Sequence, residues 1–225
     1  MKNFKFVDAN GLDTALAYKL VVGCVVPRPI AWITSMNSKG LVNAAPFSSY
    51  NYVATDPPML GVNIASKAHG LKDTAKNILE TGEFVVNVVD VDNMEMMHAS
   101  AAEFDADVSE TSSLGIELIP SLKVKVPRVA NSPIQMECRL DQSVKLGAGR
   151  NVLYIGEIVA FHIWDELFDG ERVDSIKLNP VARLGGPNYS ALGQIFNKPM
   201  IQKPPGGEGW VNQVFEPKLN NKDQK

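Results

Sequence analysis

The sequence predicts a mainly β protein with peripheral helices, an α+β chain whose long strands bend into a closed or partly closed barrel. Three observations carry this. Ile134, Met136, Cys138, Leu140, Val144 and Leu146 alternate with Gln135, Glu137, Arg139, Asp141, Ser143 and Lys145. That is the period-two pattern of a half-buried strand, and only Gln142 breaks the apolar series. After a turn at Gly147-Ala148-Gly149, Val152 to Ile163 supplies a second strand. A strand of that length spans roughly 40 Å, about double the usual, and Gly156 offers a place to bend it. Long bent strands suit closure, which also hides sheet edges. Finally, Leu71, Ala75, Ile78 and Leu79 are spaced as the buried face of one helix.

The remaining elements follow in order. Asp13 to Lys19 predicts a short helix. Residues 28–36 predict a strand with Ile30, Trp32 and Thr34 on one side and Ala31, Ile33 and Ser35 on the other. Asn37-Ser38-Lys39-Gly40 is a turn in which Gly40 can take positive φ, and Leu41 to Ala45 returns as the partner strand. Asp56-Pro57-Pro58 is a breaker before a strand over Met59–Ile64. The helix after Leu71 has Asp73 or Thr74 as candidate caps and Thr81-Gly82 as its stop. Phe84 to Val89 reads as a buried strand. Asp92 and Glu95 form a capping pair for a helix carrying Met94, Met97 and Ala101, methionines read as core.

Residues 1–192 are expected to form one domain and 193–225 an arm or tail. Asn197 to Gly209 holds three prolines and three glycines, and Lys218 to Lys225 is polar. Trp210, Val211, Val214 and Phe215 favour some docking of that arm over bare disorder.

Composition narrows the function. With 225 residues the chain can bury a sizeable core. A net charge of −3 with scattered lysines and arginines argues against a nucleic-acid surface, so an anionic ligand needs a local pocket. Met1-Lys2-Asn3-Phe4-Lys5-Phe6 lacks the apolar region of a signal peptide. No stretch approaches the ~18 apolar residues of a membrane span, and the cytoplasm is the expected location. Cys24 and Cys138 have no metal or redox spacing; both read as small apolar residues, with a reactive thiol the alternative at Cys24. No metal site is expected.

Three stretches carry chemistry. At the start of the helix, Lys72 adds a charge and Thr74 a hydroxyl to free backbone N–H groups that favour an anion. An ordinary capped helix would contain the same residues. Thr34, Ser35, Asn43, Ser48 and Ser49 lie beside Ala44, Ala45 and Pro46, whose small side chains let a flat ring approach the backbone. Polar residues near a turn would look the same. Arg183-Leu184-Gly185-Gly186-Pro187-Asn188-Tyr189 suggests a tight loop presenting one charge and one ring, or a surface turn with a structural arginine.

Six motifs in order resemble one family: Pro27-Arg28-Pro29-Ile30-Ala31-Trp32-Ile33, Asn43-Ala44-Ala45-Pro46-Phe47-Ser48, Asp56-Pro57-Pro58, Lys72-Asp73-Thr74 with Asn77, Gly82-Glu83-Phe84-Val85-Val86-Asn87, and Arg183-Leu184-Gly185-Gly186. Over roughly residues 15–190 the chain resembles the flavin reductase-like, FMN-binding split-barrel proteins, including the flavoredoxins. The resemblance implies a Greek-key split β-barrel, a homodimer and non-covalent FMN near the subunit interface. It implies FMN contacts at Thr34, Ser35, Asn43, Ala45, Ser48, Lys72 and Thr74, with the phosphate mainly at Ser48, Lys72 and Thr74. The backbone around Thr34, Ser35 and Ala45 would face the ring, and Arg183 and Tyr189 would contribute, from the same subunit or the other. Two features depart from the pattern: His69-Gly70 ahead of Lys72, and the arm beyond residue 192, which could cover the ring face.

The implied activity is hydride transfer from NAD(P)H to flavin, with electrons passed to an acceptor. The alternative is an FMN electron carrier reduced by a redox protein partner. Hydride transfer needs stacking and orientation more than a general acid, so the missing catalytic triad is no obstacle. His69 is the one weak catalytic candidate, while His98 and His162 read as structural. No Gly-x-Gly-x-x-Gly motif is present, so a nicotinamide would bind transiently over the flavin.

Overall fold

The computed structural model describes residues 2–67, 70–104, 108–147 and 150–198. Strands β1 (Ala31–Met36), β2 (Val42–Phe47), β3 (Tyr50–Thr55), β4 (Pro58–Ala65), β5 (Glu83–Val88), β6 (Ile134–Leu146) and β7 (Asn151–Ile163) form the main sheet. Their order is β2-β1-β5-β6-β7-β4-β3, and every neighbouring pair is antiparallel. β2 and β3 are consecutive in the chain yet form the two opposite edges. The sheet wraps one core, to which Ile33, Phe47, Val62, Phe84, Cys138 and Tyr154 contribute from six of its strands. Curled around a shared core but not closed by hydrogen bonds, it is the split barrel that the sequence predicts.

β6 departs from its expected single buried face. Ile134 through Cys138 are all buried, whereas most of the strand from Arg139 onward is exposed. The polar side is buried because the segment before Pro127 folds over it. Val124 and Val126 pack on Val85 there. The buried Glu137 carboxylate accepts from the N–H groups of Leu122 (2.8 Å), Lys123 (2.5 Å) and Val124 (3.0 Å), and it meets His162 Nε2 at 2.6 Å. β7 shifts register between Ile155 and Gly156, the bend expected at the glycine. A Cβ on Gly156 would lie 2.5 Å from Cζ of the buried Phe84.

Helix α1 (Thr14–Cys24) is capped by Asp13, whose carboxylate accepts from Leu16 N–H at 2.9 Å. It runs past the expected end at Lys19, since nothing before Gly23 and Pro27 breaks it. α2 (Asp73–Thr81) ends at Gly82 in the left-handed conformation, φ 70°, as expected. Its cap position is Lys72, without a side-chain bond. Neither Asp73 nor Thr74 caps it: Asp73 pairs with Lys76 and Lys67, and Thr74 turns inward. Ala75 and Ile78 are buried as expected, but Leu79 is 47% exposed. In α3 (Met94–Ala99) the Asp92–Glu95 pair does not form. Asp90 and Asn93 instead exchange bonds with each other's N–H groups at 3.1 Å. Met97 is buried core, whereas Met96 faces out. A fourth helix, α4, spans Glu110–Leu114.

The strand expected over 28–36 is interrupted. Arg28–Pro29 leaves the main sheet and pairs with Ala182–Arg183, which in turn pairs with Tyr189–Ser190. This small sheet joins two motifs more than a hundred residues apart in sequence. The chain divides into Met1–Leu192 and Gly193–Lys225. Most of the second unit, including Trp210, Val211, Val214 and Phe215, lies outside the described residues. Among the described residues, no helix is long and apolar enough to cross a membrane.

Candidate functional site

The small sheet and α1 enclose a cavity of about 490 Å³, within the usual range of ligand sites. Tyr18, Lys19 and Val22 come from α1, and Arg28 and Ile30 from the segment leading into β1. Pro46 and Ser48 come from the end of β2, Met97 and Ala101 from the α3 region, and Arg183, Leu184, Gly186 and Tyr189 from the small sheet and its loop. Among the described residues three cations line it and no carboxylate does. Among the described residues Lys19, Arg28 and Arg183 have no ion-pair partner. Uncompensated positive charge in a concave site attracts an anion.

Arg28 shapes the cavity. Its Nη1 donates to Val22 O (2.6 Å) and Val25 O (2.8 Å), and its Nη2 to Leu184 O (3.2 Å). The α1 carbonyls belong to the helix C-terminus, where a cation is favourable. Nε reaches the Ser48 hydroxyl at 3.4 Å, so Ser48 Oγ accepts there and keeps its own proton to donate. Arg183 is fixed differently. Its guanidinium carbon lies 4.5 Å from the Tyr189 ring centre. Nη1 donates to the Tyr189 hydroxyl, and Nη2 donates to Gly186 O at 2.7 Å. The same hydroxyl lies 3.0 Å from His98 Nδ1.

Of the residues expected at the site, Ser48, Arg183 and Tyr189 line this cavity. Lys72 does not, but it is exposed, with Nζ 5.6 Å from the ring centre of Phe47, the residue before Ser48. Among the described residues Lys72 has no carboxylate partner.

Thr34, Ser35, Asn43 and Thr74 are buried, and their polar groups are engaged. Thr34 Oγ1 donates to Pro127 O at 2.7 Å. Thr74 Oγ1 donates to Asn43 Oδ1 at 2.8 Å, and Ser35 Oγ reaches the same oxygen at 3.4 Å. Asn77 Nδ2 donates to Ser35 at 3.1 Å, and Asn43 Nδ2 to Glu110 Oε1 at 2.5 Å. Ala45 packs against the barrel core. The pleat of β2 explains the separation. Ala45 and Phe47 face the barrel core, whereas Ala44 joins the other core with Ile30, Trp32 and Met97, and Pro46 and Ser48 face the cavity. The backbone of Ala45 faces Ile33 within the sheet, whereas the outward positions of this edge strand are its neighbours: Val42, whose carbonyl accepts from Ser109 Oγ at 2.7 Å, and Ala44, whose N–H bonds Glu110. His69 lies outside the described residues.

Glu110 completes the buried network uneasily. Burial pushes its carboxyl above the ordinary value, against the bonds it accepts from the backbone and Asn43. Among the described residues its Oε2 has no hydrogen-bond partner. Glu137 goes the other way. Burial opposes its ionisation, but the Leu122, Lys123 and Val124 N–H groups and His162 outweigh it and hold the carboxyl below its usual range.

Sequence reasoning missed Tyr18, Lys19 and Val22. α1 carries no Gly or Pro signal and none of its residues is buried, so nothing marks one face as a cavity wall. Arg28 was visible between its two prolines, but its role depends on carbonyls at Val22, Val25 and Leu184 that only the fold brings together.

A family model for the flavin reductase like domain matches residues 22–176. The chain belongs to that family. An uncharacterised protein of Halalkalibacterium halodurans is 39% identical over 196 residues, covering 85% of this chain and 94% of that protein. Nitrilotriacetate monooxygenase component B from Bacillus cereus is 34% identical, with a TM-score of 0.84 over 88% of this chain and 100% of the other. The 2-nitrobenzoate 2-nitroreductase of Pseudomonas fluorescens is 38% identical, with a TM-score of 0.82 over 90% and 99%.

Proposed function

We propose that the chain binds FMN non-covalently and works as an NAD(P)H-dependent oxidoreductase of flavin-reductase type, as a cytoplasmic homodimer. The observation that carries this reading is the cavity whose described lining holds three cations without ion-pair partners among the described residues, no carboxylate, and the Ser48 hydroxyl. A phosphate monoester carries a charge of about −1.5 to −2 at neutral pH and accepts several hydrogen bonds. The donors in and beside the cavity suit it: a hydroxyl at Ser48 with its proton free and guanidinium charge at Arg28 in the lining, and the exposed Lys72 outside it, next to Phe47.

Bound there, FMN would supply a redox centre that accepts hydride from a nicotinamide and releases electrons to an acceptor. Lys72 and Ser48 would hold the phosphate. The outward carbonyls on either side of Ala45, at Ala44 and Pro46, would read the polar ring edge. Thr34, Ser35, Asn43 and Thr74 would act from beneath, fixing β1, β2 and α2 relative to one another, and Arg28 would hold α1 against the loop at Leu184. The names of the two solved relatives described above, a monooxygenase component and a nitroreductase, support redox chemistry for this chain.

The test is the visible absorption spectrum of the purified protein, recorded before and after anaerobic addition of NADH or NADPH. Flavin bands that bleach with either nucleotide support the reductase and identify its donor. Flavin bands that persist favour a carrier reduced by another protein. No flavin bands, with none gained on adding FMN, overturn the reading.

A further inference from the structure

We infer that Arg183, held in place by Tyr189 and the Gly186 carbonyl, anchors an anionic group of the second substrate, the molecule that meets FMN in this site. The inference rests on the FMN reading above and adds to it the chemistry of the other ligand. Lys72 and Ser48 already match one phosphate. The cavity holds further positive charge at Lys19, Arg28 and Arg183, with no carboxylate among its described lining residues to balance it. Arg28 spends its donors on Val22 O, Val25 O, Leu184 O and Ser48, so it contributes charge more than contact.

Lys19 and Arg183 keep donors to give, and Arg183 is the one held in a fixed orientation. Among the described residues it bonds Tyr189 and Gly186, and a guanidinium carries more N–H groups than these use. It is half-buried and stacked on Tyr189, so its plane is set before a ligand arrives. A planar, preset guanidinium suits a carboxylate or phosphate that takes two parallel bonds. The neighbouring walls are apolar: Val22, Ile30, Leu184 and Met97. An anion mounted on a ring or hydrocarbon body fits this pairing of one cationic fork with apolar sides. Two sources share that chemistry, the carboxylate of an aromatic acceptor and the phosphates of the nicotinamide nucleotide.

Benzoate, its neutral isostere benzamide, and ADP serve as probes. Each is titrated into the FMN-loaded protein, followed by perturbation of the flavin spectrum, and into the FMN-free protein, followed by calorimetry. Benzoate or ADP should bind at least tenfold more weakly to Arg183→Gln than to the unaltered protein. Benzamide should not distinguish the two, and FMN affinity by fluorescence titration should fall by a clearly smaller factor than that of the anion. Arg183→Lys should recover part of the loss. Tyr189→Phe, which keeps the charge but removes the hydroxyl that orients it, should weaken the same probe several-fold. Dependence for benzoate assigns the subsite to an acceptor acid, and dependence for ADP alone assigns it to the nucleotide. Equal binding of both anions to Arg183→Gln and the unaltered protein would overturn the inference, as would an equal loss of FMN affinity. Failure of the protein to take up FMN would instead sink the flavin reading, and calorimetry on the FMN-free protein would still decide the role of Arg183.

Discussion

Thr74 donates its hydroxyl to the side-chain oxygen of Asn43 at 2.8 Å, inside the protein. From sequence, both residues looked like cofactor contacts. The structure joins them to each other, and with Ser35, Asn77 and Glu110 they tie the edge strand β2 to α2 and α4.

That network separates two roles that the Lys72-Asp73-Thr74 motif runs together. Thr74→Val should cost about 1 kcal/mol of stability, because it removes the shorter of two bonds to the buried Asn43 oxygen and leaves the 3.4 Å contact from Ser35. FMN affinity should change less than threefold. Lys72→Ala should leave the melting temperature nearly unchanged and weaken FMN at least tenfold, since a charged hydrogen bond contributes roughly 1.5–3 kcal/mol. Thermal melts and fluorescence titrations of the two variants check both halves.

Glu137 and Glu110 should respond to pH with opposite signs. The Glu137 carboxyl is held below its ordinary value, so its contribution is complete above about pH 4.5 and is lost as pH falls through the folded-state value. Glu137→Gln should destabilise the fold by roughly 2–4 kcal/mol at pH 7, because Leu122, Lys123, Val124 and His162 lose a charged acceptor. It should also flatten the acid limb of a plot of melting temperature against pH.

Glu110 is raised. The neutral form is favoured in the fold, so its contribution worsens as pH rises above the ordinary carboxyl value. Glu110→Gln keeps an acceptor for Asn43 Nδ2 and removes the buried charge. It should be neutral or stabilising, by on the order of 1 kcal/mol, at pH 8, with less gain at pH 5. Urea unfolding of the variant at the two pH values reads this difference.

Gly156→Ala should be costly although it adds one methyl group. The new Cβ would meet the buried Phe84 ring at 2.5 Å, and the Arg139 carbonyl 3.3 Å away closes another side. Overpacking of this kind costs about 1–3 kcal/mol. Urea unfolding against the unaltered protein measures it.

Much of the barrel was legible because its signals are local. The strand over Ile134–Leu146, the turn at Gly40 and the stop at Gly82 each follow from a few adjacent residues and each is where it was expected, although β6 does not bury the single face its alternation implied. The family was legible for a related reason, since six short motifs keep their order along the chain. The site was less so. Thr34, Ser35, Asn43 and Thr74 look available in sequence, but which side chain a β2 residue presents to the cavity depends on pleat and on what packs beneath it. The cavity itself is assembled by long-range pairing of Arg28 with Arg183, and by a helix whose residues signal neither burial nor function. The capping errors at Asp73 and Asp92 have a similar cause. Lys67 and Lys76 claim the first, and the Asp90–Asn93 exchange displaces the second.

The most direct measurement is a fluorescence titration of FMN into the flavin-free protein, alongside the Lys72→Ala and Ser48→Ala variants. The account predicts saturable binding of one FMN per chain, weakened at least tenfold by Lys72→Ala and by a smaller factor by Ser48→Ala, with both variants folded. Absence of saturable binding, or an affinity indifferent to both substitutions, would contradict it.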